Sequence, residues 1–199
     1  MIVDERIITF INSLDTKNSE ILEDIEREAL ADNVPIIRRE MQSFLKVLLM
    51  VKKPMRVLEV GTAVGFSALL MSEYVPEECA ITTIENYEKR IPIARQNFVR
   101  AGKEKKITLL EGDAMDVLKT LEGPYDFIFM DAAKGQYIHY LPEILRLLAK
   151  GGILVSDNVM QDGDVIESRF AVERRDRTIH ARMREYLYEL KHNLSLIHI

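Results

Sequence analysis

The sequence predicts a doubly wound α/β fold, a parallel sheet with helices on both faces, under an N-terminal helical cap. Three observations predict it. From Pro54 onward, five short apolar runs alternate with stretches of helical periodicity. The runs, at residues 56–60, 81–84, 107–110, 127–130 and 153–155, are rich in consecutive apolar and β-branched residues, as strands buried on both faces are. Before Pro54 the periodicity is helical throughout. The 199 residues then form one domain, with the cap over 1–53 and the sheet-bearing core over 54–199.

In the cap, Ile7, Phe10, Ile11 and Leu14 recur at helical spacing, and Ile21, Ile25 and Ala29 repeat the pattern. A third helix is expected to carry Met41, Phe44, Leu45 and Leu48 on its inner face. It closes on Lys52 and Lys53, which suit the negative end of a helix dipole, and Pro54 stops it. In the core, helices are expected near 66–74, 89–101, 115–121 and 138–148. Beyond the fifth run, residues 169–191 hold seven basic side chains against four acidic ones. Ile179, Met183, Tyr186, Leu187 and Leu190 give this segment an apolar helical face, so it is expected to dock on the sheet with its arginines outward.

Composition narrows the function. With 47% hydrophobic and 30% charged residues the chain is globular, and its net charge of −5 gives no general attraction to nucleic acid or an anionic membrane, so neither DNA nor a membrane is an expected partner. One cysteine, Cys79, excludes a disulfide framework or a cysteine metal cluster and fits a reducing, cytoplasmic setting. The apolar stretch 7–14 is broken by polar residues and preceded by Asp4 and Glu5, unlike a signal peptide or a membrane span.

The first strand runs into Glu59-Val60-Gly61-Thr62-Ala63-Val64-Gly65-Phe66-Ser67. Glycines there let a ligand approach the backbone, and the helix that follows aims its N–H groups at the turn. The spacing is G-x-x-x-G, not the pyrophosphate-binding G-x-G-x-x-G, and Glu59 would repel a phosphate but suit a cation. S-adenosylmethionine, with its ammonium and sulfonium, fits both features. Glu85, ending the second strand, stands where such folds bind a ribose. Gly112-Asp113-Ala114 follows the third strand; Asp113 can meet an adenine or cap the next helix. Asp131 ends the fourth strand and Asp157-Asn158 the fifth. Two carboxylates and an amide are hard oxygen donors, suited to Mg²⁺ or Mn²⁺ rather than zinc.

V-L-E-V-G-T-A-V-G-F-S at 57–67, Y-D-F-I-F-M-D-A-A-K at 125–134 and G-G-I-L-V-S-D-N at 151–158 closely resemble the cation-dependent O-methyltransferases, a Rossmann-like family that includes catechol and caffeoyl-coenzyme A O-methyltransferases. The resemblance implies that Met41, Glu59, Gly61, Thr62, Gly65, Ser67, Glu85, Gly112, Asp113, Ala114 and Asp131 hold the cofactor. It further implies that Asp131, Asp157 and Asn158 hold the metal and that Lys134 is the general base. Ala132-Ala133 replaces the His-Trp pair of the catechol enzymes, which makes a simple catechol a poorer fit. Family members often dimerise, so a homodimer through the N-terminal helices is expected.

Within the family, I-N-S-L at 11–14, P-I-I-R-R-E at 35–40 and R-T-I-H-A-R-M-R-E-Y at 177–186 resemble the bacterial tRNA 5-hydroxyuridine methyltransferases, which make wobble 5-methoxyuridine. That subgroup implies tRNA as partner, with Arg38, Arg39, Arg174, Arg175, Arg177, Arg182 and Arg184 as phosphate contacts and Phe170 or Tyr137 stacking on the base. The alternatives are a small catechol-like or caffeoyl-type acceptor and a non-catalytic RNA-binding relative. Residues 193–199 leave room for one short strand at most, so the C-terminal hairpin usual in the family is expected to be incomplete.

Overall fold

A computed structural model describes residues 4–196. Three helices open the chain: α1 (Glu5–Ser13), α2 (Glu20–Ala31) and α3 (Arg39–Lys52). Then β1 (Arg56–Val60), β2 (Ala80–Glu85), β3 (Ile107–Glu111), β4 (Tyr125–Met130) and β5 (Leu148–Ser156) build one sheet. Between them run α4 (Phe66–Glu73), α5 (Ile91–Arg100), α6 (Ala114–Thr120) and α7 (Tyr137–Leu147), and α8 (Arg177–His192) follows β5. The strand order is β3-β2-β1-β4-β5, with every pair parallel.

Alternation along each strand divides the core in two. Val57, Phe127, Phe129 and Ile81 face α2–α5, whereas Leu58, Val60, Ile128, Met130 and Ile84 face α6–α8. Burial on both faces explains why the strands read as continuous apolar runs. The chain winds from β1 outward to β3, then returns to place β4 on the other side of β1. That reversal opens a crevice at the carboxyl ends of β1 and β4, the usual ligand position in such sheets.

The expected inner face of α3 holds for Leu45, which is buried, and for Met41 and Leu48, which pack against the core, but not for Phe44. The buried residues are Gln42, Leu45, Lys46 and Leu49, while Phe44 is half exposed. Hydrogen bonds turn the polar residues inward: Gln42 Nε2 donates to Glu26 Oε1 at 3.2 Å and to the Ile37 carbonyl at 3.0 Å. Lys46 lies over the Tyr74 ring. On α1 no residue is buried, so Ile7, Phe10, Ile11 and Leu14 line an open apolar face.

β5 is longer than the expected 153–155, because a register irregularity opposite Tyr125 and Phe127 lets it start at Leu148. The basic segment is helical only from Arg177; residues before it form turns, including a short 3₁₀ stretch at Gln161–Ile166. Among the described residues no strand follows α8, and residues 197–199 of the expected last strand lie outside them. None of the described helices is long and apolar enough to cross a membrane.

Candidate active site

The turn between β1 and α4 is shaped by two glycines. Gly61 has φ +102°, and a Cβ there would overlap the Asp131 carbonyl oxygen, so the loops after β1 and β4 press directly together. Gly65 has φ +85° and caps α4; a Cβ there would stand 2.5 Å from the Phe98 ring. Both positions favour a residue without a side chain.

Beside this turn lies an open cleft of about 230 Å³. Gly61, Ala63, Glu85, Gly112, Ala114 and Asp131 line it. Thr62 and Ser67 line an adjoining recess that reaches Pro35–Ile37 of the cap. Met41, expected over the cofactor, lines neither and packs half-buried against the cap-side core.

Glu85 organises the floor of the cleft. Its Oε2 accepts from Ala63 N at 2.7 Å, and its Oε1 accepts from Asn86 N at 3.0 Å and Tyr87 N at 2.9 Å. A carboxylate offers about four lone-pair sites, so acceptor capacity remains for a ligand hydroxyl. Asp113 caps α6 by accepting from Met115 N at 2.8 Å, the second of its two expected roles.

Glu59 is not a cleft residue. It is 0% exposed, and its two oxygens accept from Ser67 Oγ and Thr83 Oγ1, each at 2.5 Å. Thr83 also pairs with Thr62 Oγ1 at 2.5 Å, so one chain of hydroxyls ties β1, β2, α4 and the glycine turn together. Burial pushes the Glu59 carboxyl up to about 7, against the two hydroxyl bonds that favour its charge. A direct cation contact is thereby replaced by support from beneath.

At the other wall, Met130 pairs in register with Ser156, so Asp131 and Asp157 leave neighbouring strands side by side. Their amides remain in the ladder: Asp131 N donates to Val60 O and Asp157 N to Met130 O, both at 2.9 Å. Lys134 Nζ donates to Asp131 Oδ1 at 2.8 Å and to the Tyr137 hydroxyl at 3.0 Å. Burial raises the Asp157 carboxyl, and the Asp131 charge raises it further, while Lys134 and Arg38 oppose both. Asn158 is exposed in a left-handed turn, φ +52°.

Two half-buried carboxylates that repel one another, with an amide on the next residue, are a donor set suited to a hard divalent cation. No group of three or more His, Cys, Asp and Glu side chains gathers among the described residues, so these donors do not extend into an all-carboxylate or imidazole cage.

Six of the seven arginines expected on RNA serve protein contacts. Arg38 pairs with Asp162 at 2.8 Å, bridging the cap and the loop after β5. Arg39 holds Glu23 and Glu26, and Arg175 holds Glu173 and Asp176. Arg177, Arg182 and Arg184 donate to the carbonyls of Val172, Gly135 and Val165, whereas Arg174 is exposed. The helix therefore ties down neighbouring loops rather than presenting all its arginines outward. Tyr137 is 0% exposed and cannot stack on an extruded base; Phe170, 85% exposed, is free to do so.

Sequence reasoning missed Asn86, Arg90 and Tyr140, which also line the cleft. The first two follow Glu85 too closely to show any periodicity. Tyr140 reads as an ordinary core residue of α7.

Residues 12–195 match the family model described as O-methyltransferase. A catechol O-methyltransferase of Niastella koreensis is 35% identical over 128 residues, which cover 62% of this chain and 58% of that protein. Caffeoyl-CoA O-methyltransferase 2 of Populus trichocarpa is 35% identical over 133 residues, covering 62% and 52%. The chain thus spans little more than half the length of these curated relatives. A methyltransferase of Podospora anserina solved with SAH bound has a TM-score of 0.86 at 27% identity, covering 96% of this chain and 86% of that one. With the glycine turn, the cleft and the paired aspartates all falling within the matched residues, the chain belongs to the O-methyltransferase family.

Proposed function

We propose that this chain transfers a methyl group from S-adenosylmethionine to the 5-hydroxyl of 5-hydroxyuridine at the tRNA wobble position, giving 5-methoxyuridine. The observation that carries the transfer chemistry is a juxtaposition at one crevice: the glycine turn after β1 presses on Asp131, which Lys134 contacts and beside which Asp157 leaves β5. S-adenosylmethionine supplies an electrophilic methyl on sulfur. Gly61, Ala63, Glu85, Gly112 and Ala114 bind and orient it, with Glu85 on the ribose.

Asp131, Asp157 and Asn158 would hold Mg²⁺ or Mn²⁺, which supplies Lewis-acid polarisation of two adjacent acceptor oxygens. The 5-oxygen and 4-carbonyl of 5-hydroxyuridine form such a pair, as do the two oxygens of a catechol. As the ammonium paired with Asp131, Lys134 holds the developing oxyanion; as the neutral amine, it takes the hydroxyl proton at Nζ. Fixing the acceptor between these groups and the cofactor turns the transfer into an effectively intramolecular step.

For tRNA, exposed Arg174 and Phe170 supply a phosphate contact and a stacking surface, and the guanidinium groups of Arg38, Arg39, Arg175, Arg177, Arg182 and Arg184 retain further N–H donors. A cytoplasmic location follows from that substrate. A second reading, a small catechol-like or caffeoyl-type acceptor, is favoured by what the relatives are called. Side-by-side incubation of tRNA bearing 5-hydroxyuridine and of a small catechol, each with cofactor and Mg²⁺, separates the two. Methylation of the tRNA alone is expected; methylation of the catechol alone overturns the tRNA assignment.

A homodimer is part of the same proposal. The open faces of α1 and α3, with Ile7, Phe10, Ile11, Leu14, Phe44, Val47 and Val51 exposed, are the surface a second copy would cover. Analytical ultracentrifugation should find a dimer, and Phe10→Glu should give a monomer.

A further inference from the structure

Behind Lys134 lies a buried pair of tyrosines to which the proposed chemistry gives no part. Tyr137 opens α7 and Tyr186 lies in α8; both are 0% exposed. The Tyr137 hydroxyl donates to the Met130 carbonyl at 2.8 Å, one residue before Asp131, and lies 3.4 Å from the Asp157 carbonyl. The same oxygen accepts from Lys134 Nζ at 3.0 Å. Tyr186 meets the Tyr137 ring edge-on, centroids 5.5 Å apart, and its hydroxyl pairs with Ser156 Oγ at 2.6 Å, one residue before Asp157.

Each hydroxyl therefore grips the strand end that delivers one aspartate. The Tyr137 hydroxyl has one proton, spent on the Met130 carbonyl, and so it faces Lys134 as an acceptor. From α8, Arg182 Nη1 donates to the Gly135 carbonyl at 3.1 Å, steadying the turn that carries Lys134. Lysine has a flexible four-carbon stem, so fixing its nitrogen needs more than one partner. Asp131 supplies one and the Tyr137 hydroxyl supplies the other.

We propose that Tyr137 is a positioning residue: its hydroxyl, anchored on the Met130 carbonyl and backed by Tyr186, fixes Lys134 Nζ against Asp131 for the reacting oxygen. The proposal rests on the reading of Lys134 as base or oxyanion holder, but its geometry is testable without any substrate. The probe is proton exchange of the Lys134 ammonium, followed by ¹⁵N-edited NMR of the full chain and assigned by its disappearance in Lys134→Ala.

The wild-type resonance should be protected, with a nuclear Overhauser contact to the Tyr137 ring. Tyr137→Phe keeps the ring packing on Tyr186 and should speed that exchange by about tenfold, the loss of one hydrogen bond to a charged donor. With whichever acceptor is turned over, Tyr137→Phe should lower kcat by about tenfold and leave KM for the cofactor unchanged. The Tyr137→Phe/Lys134→Ala double variant should then be no slower than Lys134→Ala alone.

Unchanged exchange in Tyr137→Phe overturns the proposal, as do additive effects in the double variant. If Tyr137→Phe does not fold, absence of the contact between the Lys134 ammonium and the Tyr137 ring in the wild type overturns it equally. Failure of the parent reading looks different: Lys134→Ala would keep full turnover while the wild-type ammonium remained protected.

Discussion

Gly61 sits so close to Asp131 that a β-carbon on the first would occupy the space of the second's carbonyl oxygen. The donor-side turn and the acceptor-side loop are therefore one packed unit, meeting where the strand order reverses. Gly61→Ala must displace that carbonyl and also hold φ near +102°, a region costly for alanine. Cofactor affinity measured by calorimetry should fall by about tenfold or more, with a stability loss of about 2 kcal/mol. Wild-type affinity in Gly61→Ala would show that the two loops are free to separate.

Asp157→Ala should separate the two halves of the site. The cofactor lies against Gly61, Glu85 and Ala114 in the proposed function, so its affinity should hold within a factor of about two. Turnover should fall by at least about a hundredfold, because one of the two carboxylate donors is gone. Equal loss of both in calorimetry and rate assays would mean that Asp157 supports the fold rather than the acceptor side.

Glu59 gives a pH signature. Its carboxyl titrates near 7 when folded and near 4.5 when unfolded, so between these values the folded state holds the extra proton. Its contribution to stability is thus fully present below about pH 4.5, is lost as pH rises towards 7, and is flat above that. Glu59→Gln removes this slope. Relative to wild type it should gain stability from pH 5 to pH 8, by up to about 3 kcal/mol. Parallel urea-midpoint profiles for the two proteins across that range would contradict the burial argument.

Gln42 tests the cap. Its side chain donates to Glu26 and the Ile37 carbonyl and accepts from Asn18 Nδ2 at 2.8 Å, all in a position 1% exposed. Gln42→Ala leaves these groups without their partner, at a cost of about 2 kcal/mol. Thermal melts should show a drop of roughly 5 °C. Gln42→Glu should be no better, because it faces Glu26.

Arg174 tests the RNA surface. If it neutralises one phosphate, Arg174→Ala should lower the slope of log affinity against log salt by about one, and weaken binding to all tRNAs alike. A slope identical to wild type would remove this residue from the interface.

Much of the fold was legible because burial on both sheet faces writes uninterrupted apolar runs: the five strands and the helices between them fall where the pattern put them, except that β5 begins early, at Leu148. Where the candidate site's residues lie was legible for the same reason, since residues ending such runs must meet at one sheet edge. What the pattern could not show is where polar side chains turn inward. Gln42 and Lys46 are buried through partners far away in sequence, so the apolar period placed Leu45, Met41 and Leu48 correctly but put Phe44 inward and left Gln42 and Lys46 out. Glu59 reads as a ligand-facing acid because it adjoins Gly61, yet its position in β1 aims it at Thr83 and Ser67. Tyr137 reads as a surface aromatic, and only tertiary packing reveals it as the neighbour of Lys134 and Tyr186.

Asp131, Asp157 and Asn158 are proposed to gather a divalent ion beside the cleft, and the whole mechanism depends on that ion. Its binding there is tested most directly by an anomalous difference map from crystals grown with Mn²⁺ and S-adenosylhomocysteine. A single manganese peak within bonding distance of all three side chains, next to the cofactor sulfur, is the expected result. Well-ordered side chains that point apart, with no peak among them, would contradict it.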